Sequence, residues 1–362
     1  MHFNEKAGFM LEISQDSRAF RHLFLAAIFI VIVVGLKYCA YMVNLLVVSL
    51  VLTMLALPLM EILKKKGVSD VVAVTVITVA ACMAILVMIL LMIGSFQVLV
   101  NDIPLYWADL QLRLSELSSI FQKIGIDLSG MTDVSEMDMK GLSGMLAGIV
   151  FGISDIVLYL FFIGVITFFM LLEMPKIPGR VTKLLGKKSE KLDQFSRMSN
   201  YMIEFIIVRT ETNFVHGFLF GGFLWVMGVH SALLWGILTF ILSYIPYIGL
   251  IIAAVPAIFF AWLQFGVWGA VAVIAAVCVL NAVVENPVFS YLASRRFELP
   301  ALLVIISVIF WGWVLGIFGM IFAVPITIML IIVIQLSDEV RWLNTLIGVD
   351  GMFTEEKNIE KK

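Results

Sequence analysis

Apolar residues run along this chain in long blocks rather than at alternating positions, and the blocks set the elements. A helix that crosses a bilayer needs about 20 predominantly apolar residues. Blocks of that kind lie at about 23–36, ending at Lys37; at about 40–60, ending at Glu61 and the triplet Lys64, Lys65 and Lys66; at about 71–99; and at about 147–172. The second half differs. Its apolar segments, about 203–228, 231–245, 248–264, 267–290, 300–316 and 319–336, are more numerous than crossings require, and several are too short to span. The pattern predicts an all-α fold: a polytopic helical membrane protein of about eight transmembrane helices, with broken or re-entrant helices in the second half.

Two polar islands bracket the fourth apolar block, and their charges are opposite. Residues 101–145 carry seven acids (Asp102, Asp109, Glu116, Asp127, Asp133, Glu136, Asp138) against three bases, a net of −4. Residues 173–200 carry seven bases (Lys176, Arg180, Lys183, Lys187, Lys188, Lys191, Arg197) against three acids, a net of +4. Cytoplasmic loops are enriched in Lys and Arg, so the basic island and Lys64–Lys66 are expected inside and the acidic island outside. Helix parity then puts both termini inside. Leu110, Leu114, Leu117, Phe121 and Ile124 form one apolar stripe at helical spacing in the acidic island, and Leu184, Leu185, Leu192, Phe195 and Met198 do so in the basic one. The second is read either as a helix lying in the membrane interface or as an ordinary packed helix. The expected organisation is an N-terminal tail with three membrane helices (1–100), an extracytoplasmic helical insert (101–146), a fourth membrane helix (147–172), a cytoplasmic basic amphipathic helix (173–202), the C-terminal helices (203–337) and a cytoplasmic tail (338–362).

Composition agrees. The chain has 362 residues, 62% of them hydrophobic and 14% charged, with a mean hydropathy of +1.08, whereas a soluble domain carries about 25% charged residues. A β-barrel would alternate polar and apolar positions, which this chain does not. The net charge of −2 says nothing about partners, and no nucleic-acid partner is expected. Cys39, Cys82 and Cys278 lack metal-ligand spacing and are expected to be small buried apolar side chains. The segment Met1 to Arg21 lacks a signal-peptide pattern. No HExxH, GxSxG or phosphate-binding loop occurs, so no catalytic residue, metal site or cofactor is expected and the chain is not read as an enzyme.

The candidate chemistry gathers in residues 200–336. Ionisable groups at membrane depth are costly and usually serve a pathway or a site. Asn281 and Glu285 are four apart on one helix face, and Asn286 and Pro287 follow. Proline removes a backbone donor and ends or kinks a helix, so freed carbonyls beside the Glu285 carboxylate form a candidate site for a cation or polar solute. The alternative is a solvated helix end. Ser243-Tyr244-Ile245-Pro246-Tyr247-Ile248-Gly249 interrupts a second run, and broken helices expose backbone groups that transporters use as ligands; a plain loop is the alternative. Glu204 and Glu211 share a helix face, as do Arg209 and His216. Arg209, Glu211 and His216 are candidates for charge compensation, with snorkelling at the interface as the bland reading of Glu204 and Arg209. Phe310-Trp311-Gly312-Trp313 is expected to open a further break, with Gly312, Gly316 and Gly319 permitting close packing or hinge motion. The pairs Gly217/Gly221 and Gly312/Gly316, and the trio Gly144, Gly148 and Gly152, put small residues four apart for close helix approach.

The order of these motifs carries a resemblance. Leu172-Glu173-Met174-Pro175 closes the fourth helix, Tyr244-Ile245-Pro246-Tyr247-Ile248-Gly249 follows, then Glu285-Asn286, then Phe310 to Pro325 in the pattern F-W-G-W-x-x-G-x-x-G-x-x-x-x-V-P. From about residue 20 to 337 the chain resembles the AI-2E (autoinducer-2 exporter) family of transporters. The resemblance implies an eight-helix multi-pass protein of the bacterial inner membrane, a homo-oligomer, and an exporter in the secondary-transporter class, linked in some members to the quorum-sensing signal autoinducer-2. Other members resemble sodium/proton antiporters. The expected function is therefore ion-coupled export of a small polar solute across the lipid bilayer, with proton or sodium as coupling ion. The alternatives are a sodium/proton antiporter, a passive channel, and a membrane scaffold or signalling protein. Ser243 stands where the family often has Asn, and Ser290 and Ser294 replace a family proline and glycine, with Pro287 instead.

Overall fold

The computed structural model describes residues 18–102, 106–123, 153–185, 190–246, 248–288, 299–336 and 342–348, and all regular structure among them is helical. Three helices open the chain: α1 (Arg18–Tyr38), α2 (Ala40–Lys65) and α3 (Asp70–Asp102). A short helix, α4 (Trp107–Lys123), follows at what is here termed the acidic end of the bundle. Helix α5 (Ile153–Glu173) returns to the basic end, where a 3₁₀ turn at Met174–Lys176 leads into α6 (Ile177–Leu185). The predicted start of the fourth block, with Gly144, Gly148 and Gly152, lies outside the described residues.

Helix α2 is the inner one of the first half. It buries Leu45, Val48, Val51, Met54 and Ala56 against α5 and the later helices Glu190–Met227 and Ala323–Leu336. Polar groups on it bond both within the helix and across to others: Thr53 Oγ1 donates to the Ser49 carbonyl at 2.7 Å, four residues back, Ser49 Oγ to the Ile163 carbonyl at 3.3 Å and Asn44 Nδ2 to the Leu315 carbonyl at 3.1 Å. Helices α1, α3 and α5 instead expose Phe29, Val79, Phe161 and Phe169, the surface that hydrocarbon solvates as readily as another helix would. Cys39 and Cys278 are also exposed and only Cys82 is partly enclosed. This corrects the expectation of three buried thiols, since an apolar side chain in a membrane needs no protein cover.

Helix α7 (Glu190–Met227) is one uninterrupted rod of 38 residues, so the last part of the basic segment and the first membrane helix of the second half are continuous. It pairs with α8 (Ala232–Leu242) through glycines. A Cβ on Gly217 would stand 2.6 Å from the Gly236 carbonyl, and one on Gly221 would stand 3.1 Å from Gly236 Cα. The four-residue glycine spacing thus serves close packing within the chain.

Among the described residues, four segments are long and apolar enough to cross a membrane: Ala40–Lys65, Asp70–Leu99, Val157–Arg180 and Gly249–Val284. The last is not a single rod. Helix α9 (Gly249–Leu280) is bent at Gly266, whose φ of 69° and ψ of −161° are non-helical. A Cβ on Gly269 would collide with the Ala261 carbonyl, yet residues eight apart in a continuous helix are separated by about 12 Å. The chain therefore folds back, leaving limbs 249–265 and 267–280. The same corner recurs between α10 (Ala301–Leu315) and α11 (Ile317–Ile321). Gly316 has φ 71° and ψ −149°, and a Cβ on Gly319 would collide with the Trp311 carbonyl. Helix α12 (Ala323–Leu336) runs back, and α13 (Trp342–Ile347) ends the described chain. The break expected to open at Phe310–Trp313 thus falls at Gly316 instead. Trp311 stays helical, and its indole nitrogen donates to Thr327 Oγ1 at 3.0 Å.

At the acidic end, α4 is bound onto the Gly266 corner. Arg113 Nε donates to the Leu263 carbonyl at 3.4 Å beside Gly266. Gln264 donates to the Tyr106 hydroxyl at 2.8 Å and accepts from the His230 backbone N–H at 3.2 Å. The acidic segment is therefore anchored to the second half through polar contacts that its apolar stripe did not announce.

Candidate functional site

Helix α8 enters from the acidic end and stops after 11 residues. At 1.5 Å per residue it reaches about 16 Å, near the middle of a hydrocarbon core about 30 Å thick. There the chain leaves helical form at Ser243 and resumes as the first limb of α9 at Gly249. Glycine is required at 249, because a Cβ would collide with the Leu242 carbonyl. A helix end at this depth leaves carbonyls without intrahelical partners, and no bulk water satisfies them.

Helix α7 supplies the missing partners. Arg209 is buried, 8% exposed, and its Nη2 donates to the Ser243 carbonyl at 2.6 Å. This sets a cation at the C-terminal, negative end of the α8 dipole. Thr210 Oγ1 and the Tyr244 hydroxyl share a hydrogen bond of 2.6 Å. In the amide orientation that satisfies both ends, Asn213 accepts from the Tyr244 backbone N–H at 3.1 Å and donates to the Arg209 carbonyl at 3.3 Å. Positions 209 and 213 are one helical turn apart on α7, so one face holds the break from both sides of Tyr244. The Tyr244 ring packs edge-on against Phe240 and tilted against Phe322 of the opposing corner, at centroid distances of 6.1 and 6.5 Å.

Two hydroxyls beside this clamp are left over. Thr239 and Ser243, four apart on α8, are 0% and 4% exposed, and neither Oγ has a hydrogen-bond partner among the described residues. An unmade hydrogen bond on a buried polar group costs about 1–3 kcal/mol, so groups of this kind call for water or a polar solute as partner.

The other sequence candidates are distributed around this point. His216 is buried two turns along α7, and Glu211 is exposed on another face. Asn281 is exposed at the start of a π-helical turn, Asn281–Val288. Such wide turns recur at functional sites, and Pro287, which lacks an N–H, sits within this one. The side chains of Glu285, Asn286 and Pro287 lie outside the described residues, as does Tyr247. Pro246 is partly buried within the break. Gly312, Gly316 and Gly319 gather at the second corner, where a Cβ on Gly312 would stand 2.6 Å from Met320 Cγ. Sequence reasoning passed over Thr210, Asn213 and Thr239. The available signal was a polar row at 209, 210 and 213 inside an apolar helix, answered by small hydroxyls at 239 and 243.

Such a build defines a polytopic helical membrane protein with a polar helix break at its centre. The chain belongs to the AI-2E transporter family, whose pattern it matches over residues 26–338. It is 26% identical to the AI-2 transport protein TqsA of Escherichia coli over 306 residues, covering 84% of this chain and 89% of that one. A putative transport protein of Haemophilus influenzae is 27% identical, with 88% and 93% covered. The putative transport protein YhhT of Escherichia coli is 25% identical, with 88% and 91% covered. The protein is a membrane transporter.

Proposed function

We propose that this chain is an ion-coupled secondary transporter that exports a small polar solute past the Ser243–Gly249 break. The observation that carries the reading is the pair of buried, unpartnered hydroxyls, Thr239 Oγ1 and Ser243 Oγ, at a helix end that Arg209 holds. A permanent structural clamp needs no spare donors, whereas a path that a polar solute visits does. The similarity to TqsA, named an AI-2 transport protein, supports an autoinducer-2-like substrate. The solute's oxygens would exchange hydrogen bonds with Thr239 and Ser243, and the corners at Gly266 and Gly316 would let the short helices shift around the break. Asn281, Glu285 and Asn286 remain the proposed entry on the basic side, with Glu285 as the group that takes up the coupling proton or sodium. The reading includes a cytoplasmic basic end, from the enrichment of Lys and Arg there, and an inner-membrane location and self-association, as the family resemblance implies.

Proteoliposomes with an imposed proton or sodium gradient test it. Autoinducer-2 flux should follow one gradient and fall at least about tenfold in Ser243→Ala and Glu285→Gln, equivalent to about 1.4 kcal/mol. Flux that ignores both gradients and survives both substitutions would remove the proposal. Sodium-driven dequenching of a pH dye without solute would instead make the chain a sodium/proton antiporter.

A further inference from the structure

An apolar groove of about 450 Å³ lies along the face where α3 and α5 meet, and it shares no lining residue with the helix break. Its floor is deep because residue 164 is glycine: a Cβ there would stand 2.9 Å from Cys82 Sγ. The lining follows two helical rows. On α5, Val157, Phe161, Val165 and Phe169 recur every four residues, and the next place on that row is Glu173. On α3, Thr78, Cys82 and Leu86 do the same, and two steps back along that row is Asp70. Rows of this kind form the ridges of a helix surface, so both walls lead to the same basic end and terminate in a carboxylate.

Each of those carboxylates carries cations. Glu173 accepts from Lys176 at 2.9 Å and from Arg180 at 2.6 Å, and Asp70 pairs with Lys64 at 2.9 Å. Lys65 and Lys66, where α2 ends and the turn to α3 begins, and Lys183 on α6 are exposed at the same end of the bundle. The surface is thus apolar along its length and cationic at one end, with more bases than acids at that end. A second copy of the chain would bring the same cations to the same place and meet repulsion. A phospholipid with an anionic headgroup matches both parts.

We propose that the α3–α5 groove binds an anionic phospholipid, one acyl chain lying along Cys82 and Gly164 and the phosphate held among Lys65, Lys66, Lys176, Arg180 and Lys183. This is independent of the transport reading. The full chain would be placed in nanodiscs with trace phosphatidylglycerol or phosphatidylcholine carrying a photoactivatable acyl chain, and cross-links would be mapped by mass spectrometry. Phosphatidylglycerol should label peptides 78–86 and 157–169 roughly tenfold more than phosphatidylcholine, as expected when cations at a membrane surface face an anionic lipid. Lys66→Glu with Lys183→Glu, outside the ion pairs above, should abolish the preference while leaving phosphatidylcholine labelling unchanged. Val165→Trp should narrow the groove from its wall and lower labelling by both lipids. Equal labelling by the two lipids, or labelling of α1 and α9 as strong as that of the groove, would overturn the proposal. So would efficient Cys82-to-Cys82 cross-linking between two copies, which would assign the groove to a neighbouring subunit.

Discussion

In the first half of the chain, α2 and α3 run for 26 and 33 residues without a break, and the glycines of α1 and α3 sit loosely. Gly35 and Gly94 have nothing within 4 Å of where a Cβ would stand. In the second half no described limb between Ala232 and Leu336 exceeds 17 residues except where a π-turn extends it, and Gly249, Gly269 and Gly319 each stand against a carbonyl that leaves no room for a Cβ. Both halves are apolar enough for a membrane. The difference lies in what shapes them: the first is governed by apolar length, the second by corners that only glycine can make and by polar groups that satisfy the exposed backbone. Among the described residues, buried polar atoms without a partner occur in both halves, at Asn44, Thr78 and Tyr159 in the first and at Thr239 and Ser243 in the second, but Thr239 and Ser243 are the pair at a helix break.

The largest predicted effect separates the two kinds of glycine. Gly319→Ala forces a backbone collision at the second corner and belongs to the rare class of substitutions costing more than about 4 kcal/mol. Loss of a monodisperse peak in detergent reports it. Gly94→Ala, mid-helix and open, is expected to be neutral or to stabilise by up to about 1 kcal/mol. If both variants behave alike, the contrast between the halves fails. Arg209→Ala comes next. It leaves the Ser243 carbonyl unsatisfied at membrane depth and should cost about 1.5–3 kcal/mol, the range for a hydrogen bond to a charged group, seen as a lowered unfolding temperature. Arg209→Lys should recover part of this, because one donor can still reach.

The most discriminating pair is smaller in stability. Thr239→Val and Ser243→Ala remove hydroxyls that have no partner, so unfolding temperature should hold or rise by the equivalent of about 1 kcal/mol while solute flux falls. A structural role would lower both. Tyr244→Phe gives the smallest shift, about 1 kcal/mol, from loss of the Thr210 hydrogen bond alone; Thr53→Val in α2 supplies the matching control for the first half.

Much of this architecture was legible in the residues. Apolar block length placed α1, α2 and α3 and the short segments of the second half to within a few residues, because hydrocarbon thickness is a strong length filter. The Tyr244–Gly249 break was legible from its proline and glycine. The reversal at Gly266 was not legible as a glycine signal, since one glycine in an apolar run also fits an unbroken helix; only the gap between segments 248–264 and 267–290 marked it. Trp311 and Trp313 suggested an early break at the second corner, but an indole with a partner such as Thr327 sits comfortably inside a helix. Arg209 was visible as a charge in an apolar run, but its partner was not. A backbone carbonyl 34 residues away has no sequence signature.

The account stands on the helix break at Ser243 being a polar path rather than a sealed joint. The direct measurement is thiol accessibility in proteoliposomes. Ser243→Cys, in a background with Cys39, Cys82 and Cys278 replaced by alanine, would be exposed to a small charged methanethiosulfonate reagent with and without a driving gradient. The account predicts modification, faster under the gradient, that blocks flux and is slowed by excess solute. Reactivity as low as that of Thr53→Cys in the sealed interior of α2, under every condition, would contradict it.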